Sequence, residues 1–377
     1  MNAFAREQCA SQLLAAEAQV RQMKAFIGLD GFVDEILHVV DKRETVEQYQ
    51  RLSKISQFAE RMAAAAGHST NIELVSQLTK LGGNGPIMAN AMASFGMQVT
   101  YLGLLGYPQI HPAFADFAKR AEVYSIAEPA RTDALEFEDG KIMLGKTRAL
   151  DEMNWENICA YFGRENFFSK ICTANIVGCV NWTMLTKMND IWSTMLQEIC
   201  PGLTGSRRKL FVDLCDPEKR THKDIMKMME LLVRFELYFD VILGLNEKEA
   251  REIGNHLGLA VNYNSPEGLV ALALRIQENL PIMTIVVHPT AYALAVSQGK
   301  ASMVSGPLTR KPLITTGAGD HFNAGFCLGK LLGFSDEGSV LVGVTTSGVY
   351  VRTGKSPALA DLVDLLKNWP ETRNYNS

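Results

Sequence analysis

Six short, β-rich apolar runs separated by longer helical patterns constrain this chain more than any other feature. They are Ala25–Leu29, Val99–Leu105, Asn175–Val180, Leu210–Leu214, Phe239–Leu243 and Ile282–His288. Their apolarity is continuous, not alternating, so each is expected to be covered on both faces. Gly85–Phe95 and Lys223–Glu236, lying between runs, read as helices. Strands alternating with helices imply right-handed crossovers and an α/β fold, with a doubly wound, mainly parallel sheet flanked by helices. Hydrophobic residues are 47 % of the 377, enough to fill such a core.

Two segments break the rhythm. Ile36–Val40, and Ala134–Glu138 with Lys141–Lys146 around Asp139-Gly140, read as short antiparallel strands, because Asp-Gly between strand-like runs signals a hairpin. The expectation is one domain over 1–377 with a small β lid formed by about 34–43 and 131–149. The charged stretch from Asp41 reads as an exposed amphipathic helix over about 44–66. An ordinary edge hairpin is the other reading of the lid segments.

A net charge of −4 argues against a general nucleic-acid or anionic-membrane surface. The seven cysteines are scattered without a Cys-x-x-Cys pair, which reads as reduced thiols in a cytosolic protein. No apolar run reaches the ~18 residues of a membrane span, and residues 1–24 carry charges instead of a signal-peptide core. A soluble, cytoplasmic protein is expected, with neither nucleic acid nor membrane as partner.

Four motifs carry chemistry. In Thr315-Thr316-Gly317-Ala318-Gly319-Asp320-His321-Phe322, a strand-like approach over Pro312–Thr316 meets a glycine-rich turn and then a helix. Such a turn brings backbone N–H groups close to an anion, and Asp320 is positioned to take a proton from a hydroxyl; the alternative is a plain helix N-cap. Gly82-Gly83-Asn84-Gly85 opens a helix of small residues, where Asn84 offers a donor and an acceptor, or simply turns tightly into the core. Asp30 and Asp34 follow the first strand, the place where parallel sheets bind ligands, although an Asp-Gly turn with a solvated second Asp also fits. Asn246 and Glu249 form a capping-box pattern that is compatible with holding magnesium through water.

Together these motifs resemble the ribokinase-like (PfkB-type) carbohydrate kinases, from about Ala25 to Pro357. The resemblance implies phosphoryl transfer to a sugar or sugar-like hydroxyl. In it Asp320 is the base, and Gly317, Ala318 and Gly319 form the anion hole. Asp30 or Asp34, with Gly83 and Asn84, binds the acceptor. Asn246 and Glu249, with Thr316 and His288 nearby, serve the nucleotide and Mg2+. ATP is the expected donor, with ADP the alternative, and a homodimer through the lid is the expected assembly.

Four departures accompany the resemblance. Ile87 replaces a customary Asn, removing one polar contact to the acceptor. Ile314 replaces an Asp tied to a monovalent-cation site, so potassium activation should be weak. His288–Ala293 replaces a glycine-containing loop and, with Gly82-Gly83-Asn84, leans toward the ADP-dependent branch. Asp213–Pro217 is loosely spaced and is a weaker site candidate. The departures leave two alternatives, an inactive sugar sensor and a nucleoside kinase. His288 is read as a satisfied histidine and His321 as a polar helix residue. Gly348–Ser356 imitates a P-loop but has five residues between its glycines where four are required.

Overall fold

The computed structural model describes residues 3–259, 265–307 and 309–370. In chain order its strands are β1 (Lys24–Gly28), β2 (Phe32–Arg43), β3 (Tyr49–Arg51), β4 (Leu74–Gly82) and β5 (Gln98–Gly103). Next come β6 (Glu122–Ser125), β7 (Ala130–Phe137), β8 (Gly140–Lys146), β9 (Ile176–Cys179) and β10 (Arg208–Asp213). The last are β11 (Phe239–Leu245), β12 (Thr284–Val287), β13 (Tyr292–Ser297) and β14 (Lys300–Ser305).

Nine strands form the large sheet in the order β14-β13-β12-β11-β10-β9-β1-β5-β6. The run from β12 to β6 is parallel, and β13 and β14 add an antiparallel edge. All six apolar runs lie in it. Their two-sided burial follows from helices on both faces: one layer is built around Trp182, Trp192 and Phe235, the other around Phe211, Phe322 and Phe326. The chain leaves β1 toward β5 and β6, then returns to extend the other side through β9. That reversal creates a switch point at the carboxyl ends of β1 and β9, where such sheets open a ligand crevice. Asp30, Asn181, Asp213, Asn246 and His288 stand at or just beyond the carboxyl ends of β1, β9, β10, β11 and β12, respectively.

The second, five-stranded sheet, which holds the segments expected to form a lid, is larger than its sequence signals. The Asp139-Gly140 hairpin forms as expected between β7 and β8. Ile36–Val40, however, is the middle of a twelve-residue strand, β2, antiparallel to β3 and β4 but parallel to β7. The helix expected over 44–66 is confined to Ile55–Ala64, while Tyr49–Arg51 pairs with β2 as a strand. Its one charged residue, Arg51, suits a short edge strand, which such residues protect from further pairing. Only Phe58 of the helix is buried, in a small cluster with Leu37, Val39, Leu52, Leu135 and Phe137 on one face of this sheet.

A second correction concerns Pro312–Thr316. This approach is irregular, not a strand; Leu313 N–H donates to the carbonyl of Val351 at the end of a helix instead of to a sheet. Gly348–Thr353 closes the helix Asp336–Thr353, with Gly354 as its left-handed C-cap at φ 69°. A P-loop must open a helix, so the resemblance there is accidental.

Candidate active site

The glycine-rich turn leads into the helix Ala318–Leu331, with Gly317 as its N-cap at φ 90°. Asp320 is therefore the third helical residue and not the cap. Its side chain accepts from Asn84 Nδ2 at 3.0 Å, which joins the first two motifs across 236 residues of chain. Ala318 N–H donates to Thr315 O; the N–H groups of Gly317 and Gly319 have no partner among the described residues. A Cβ on Gly319 would stand 3.0 Å from the His288 ring, so a larger residue would crowd this approach.

Asp320 is only 8 % exposed. Burial, then the neighbouring Asp213 charge, push its carboxyl well above the ordinary range; the Asn84 hydrogen bond opposes them and Asp30 adds to the rise. Asp213, at the end of β10, accepts from Asn323 Nδ2 at 3.0 Å and is raised by burial and by Glu249. Several like charges thus share one low-dielectric crevice, an arrangement typical of sites that handle protons or cations.

Asp30 has a different position from the one its motif suggests. It is fully buried, and its carboxylate accepts from Asn84 N–H (3.0 Å), Gly85 N–H (2.9 Å) and Asn181 Nδ2 (2.8 Å), with Tyr101 Oη 3.3 Å away. It caps the first turn of the helix Asn84–Ser94 from a neighbouring loop. Burial still lifts it to about 6. Gly83, at φ 91°, lets the chain pass: a Cβ there would lie 2.9 Å from Asp30 Oδ2. Asp34 has its carboxyl packed on Gly82, and the neighbouring Thr132 side chain opposes the rise that burial gives its pKa. Ile87 packs beneath Gly317, where an Asn would have offered a polar group.

Asn246 and Glu249 form the capping box: Glu249 N–H donates to Asn246 Oδ1 at 3.0 Å and Asn246 N–H to Glu249 Oε2 at 2.8 Å. Glu249 Oε1 accepts from Asp216 N–H at 3.0 Å, tying the helix Glu247–His256 to the left-handed turn at Cys215 and Asp216. Among the described residues no three His, Cys, Asp or Glu side chains converge as a metal site.

Both histidines differ from expectation. His288 is half-buried with its Nε2 enclosed and without a hydrogen-bond partner among the described residues, and desolvation depresses it to about 4. His321 is buried, because the helix Ala318–Leu331 is enclosed on its site-facing end. Its Nδ1–H donates to Gly317 O at 2.7 Å; neutral, with a pKa near 4, it accepts at Nε2 from Ser356 Oγ at 2.8 Å. Tyr350 stacks on its ring at 3.7 Å and donates to Thr316 O at 2.8 Å. Thr316 therefore contributes a carbonyl that is already used.

Beside His288, Pro289, Ala293, Gly306, Pro312, Val344 and Val351 line a slot of about 110 Å³. Sequence reasoning missed it, since its walls are ordinary small and apolar residues from four segments. It also missed Asn181, although a polar residue directly after a continuous apolar strand was a usable signal. A larger cavity of about 490 Å³ opens at the amino ends of β1, β5 and β6, among Lys24, Gln98, Arg120 and Lys170. It holds none of the motif residues.

A sequence model described as prokaryotic ketohexokinase matches residues 3–369. The ketohexokinase of Haloferax volcanii is 27 % identical over 341 residues, covering 90 % of this chain and 89 % of that protein. Among solved structures, a carbohydrate kinase from Agrobacterium tumefaciens superposes with a TM-score of 0.63 at 16 % identity, covering 93 % of this chain and 98 % of the other. Ribokinase from Arabidopsis thaliana, complexed with ribose and ATP, gives 0.61 at 17 % identity, with coverages of 92 % and 98 %. A fructokinase from Xylella fastidiosa with bound ATP gives 0.61 at 13 %, with the same coverages. These structures establish the ribokinase-like fold, and the lean toward the ADP-dependent branch finds no support among the relatives named. Matched over nearly its whole length, the chain belongs to the prokaryotic ketohexokinase family and is a carbohydrate kinase.

Proposed function

We propose that this enzyme transfers the terminal phosphoryl group of ATP to a hydroxyl of a ketohexose, with Asp320 as the base. The observation that carries the reading is the Asp320–Asn84 hydrogen bond, which brings an elevated carboxyl from the glycine-rich turn against the second motif. A raised pKa makes a carboxylate a better proton acceptor near neutrality. The free N–H groups of Gly317 and Gly319 point to an anion site at the helix start, suited to charge that builds during transfer. The slot of about 110 Å³ beside His288, walled mainly by apolar residues, is the place for a nucleotide base. Acceptor hydroxyls would meet Asp34 and Asn84 between lid and core. Asp30 supports Asn84 as a positioning residue, since its oxygens already serve four donors.

Magnesium fits only through water, because Glu249 uses both oxygens on backbone N–H groups and, among the described residues, no three ligands converge. Asp213 and Glu249 would hold its hydration shell, as this ion commonly keeps several waters; bound there, it neutralises phosphate charge. On the lid face opposite Phe58, Leu78 and Met143 are 54 % and 46 % exposed, which supports pairing of lids in a homodimer. Among the described residues no helix is long and apolar enough to cross a membrane; a cytoplasmic site of action accords with a nucleotide-using kinase.

The test is transfer to a panel of ketohexoses, aldoses and nucleosides, run with ATP and with ADP. ATP-dependent phosphorylation of ketohexoses supports the reading. Transfer only to nucleosides, or only from ADP, overturns it.

A further inference from the structure

Lys80 is the residue of this crevice that neither the motifs nor the family resemblance singled out. It stands opposite Asp34 in the β2–β4 ladder, and Asp34 stands opposite Thr132 of β7. Residues directly opposite share a face, so Lys80, Asp34 and Thr132 form one row across the lid. The row turns toward the core: the His321 ring senses the Lys80 charge, and Tyr350 senses both Asp34 and Asp320.

The side-chain donors nearest Asp320 already make hydrogen bonds. Asn84 Nδ2 serves Asp320, the Tyr350 hydroxyl serves Thr316 O, and His321 Nδ1–H serves Gly317 O. Lys80 is part-buried, yet among the described residues its ammonium has no hydrogen-bond or salt-bridge partner. The charged groups around it are Asp34, Lys141 and Glu136, and Lys141 is itself paired with Glu136 at 2.9 Å. Burial lowers its pKa while Asp34 opposes that shift. A partly desolvated ammonium without an acceptor is costly unless a ligand supplies one.

We propose that Lys80 is a specificity-determining residue for the acceptor, forming with Asp34 a donor–acceptor clamp on neighbouring hydroxyls of an uncharged polyol. The inference rests on the reading that the acceptor lies between the lid and Asp320. One cation and one carboxylate cancel, so the pair has no net charge to offer a sugar acid and suits an uncharged polyol. A hydroxyl matches the pair: it donates to Asp34 and accepts from Lys80.

Steady-state kinetics of the unaltered enzyme, Lys80→Met and Lys80→Arg, with a ketohexose and its monodeoxy analogues, test this. Lys80→Met should raise the acceptor KM about 10–100-fold, the weight of one charged hydrogen bond, with the nucleotide KM and kcat little changed. Lys80→Arg should recover part of the loss. One deoxy analogue should lose that factor with the unaltered enzyme and lose nothing further with Lys80→Met. An unchanged acceptor KM, a parallel rise in nucleotide KM, or equal losses for every analogue in both enzymes would overturn the proposal. If the unaltered enzyme phosphorylates no ketohexose, the functional reading fails first. The rise in melting temperature caused by a bound polyol then decides Lys80: loss of that rise in Lys80→Met supports the clamp, and its retention refutes it.

Discussion

Replacing Gly82 with alanine probes the acceptor wall with a single methyl group. The new Cβ would lie 2.4 Å from Asp34 Cγ and Oδ1 and 2.5 Å from Oδ2. Non-bonded carbons prefer about 3.5–4.0 Å, so the carboxyl must retreat by roughly 1 Å. Gly82 is not in the left-handed region, and its backbone therefore tolerates alanine; the effect is isolated to the contact. Retreat is resisted because Asp34 is only 5 % exposed and stands beside the buried Thr132 of β7. Overpacking of this kind costs about 1–3 kcal/mol. If that cost falls on the placement of Asp34 against the acceptor, kcat/KM for the acceptor drops about 5–150-fold. Steady-state kinetics with each substrate varied in turn should show the loss in the acceptor term, with nucleotide KM within about twofold. A folded Gly82→Ala enzyme with an unchanged acceptor KM would refute the placement of Asp34 on the acceptor.

Three further outcomes are expected. Burial and Asp213 raise Asp320 above its unfolded value, so the native state holds a proton that the unfolded chain releases; stability present at low pH is lost as pH rises through the folded pKa. Melting temperature should therefore fall less steeply with rising pH in Asp320→Asn, and an equal slope would contradict this. His321→Leu removes two buried hydrogen bonds and the stack on Tyr350, and should cost about 1–3 kcal/mol by thermal or urea unfolding. His288 is neutral over the working range because burial holds it near 4; His288→Gln should keep the shape of the pH–rate profile, and loss of an inflection near neutrality would contradict that state.

Local order was the legible part. Continuous apolar runs gave six central strands, since burial on both faces leaves no alternation to misread. The two glycine motifs were readable because each must turn a strand end or loop into a helix within a few residues. What escaped depends on distant pairing. β4 was hidden because its alternation breaks at the irregularity between Ile36 and Leu37, where Leu78 and Ser76 are successive partners. Tyr49–Arg51 reads as charged helix, yet its place is fixed by pairing with β2, and an edge strand tolerates that composition. Asp30 carries the right residue type for a ligand, but its donors come from Asn84, Gly85, Tyr101 and Asn181, which no short window contains. Lys80 and Tyr350 belong to the crevice for the same reason: the lid and a helix far along the chain bring them there.

The central claim is that Asp320 accepts the proton during transfer from ATP to a ketohexose. Its most direct measurement is single-turnover transfer of labelled phosphoryl from ATP to fructose, with the unaltered enzyme and Asp320→Asn at saturating substrates. The account predicts transfer by the first, and a rate lower by about 10²–10⁴ in the second with acceptor binding largely kept. Equal rates in the two enzymes would contradict it.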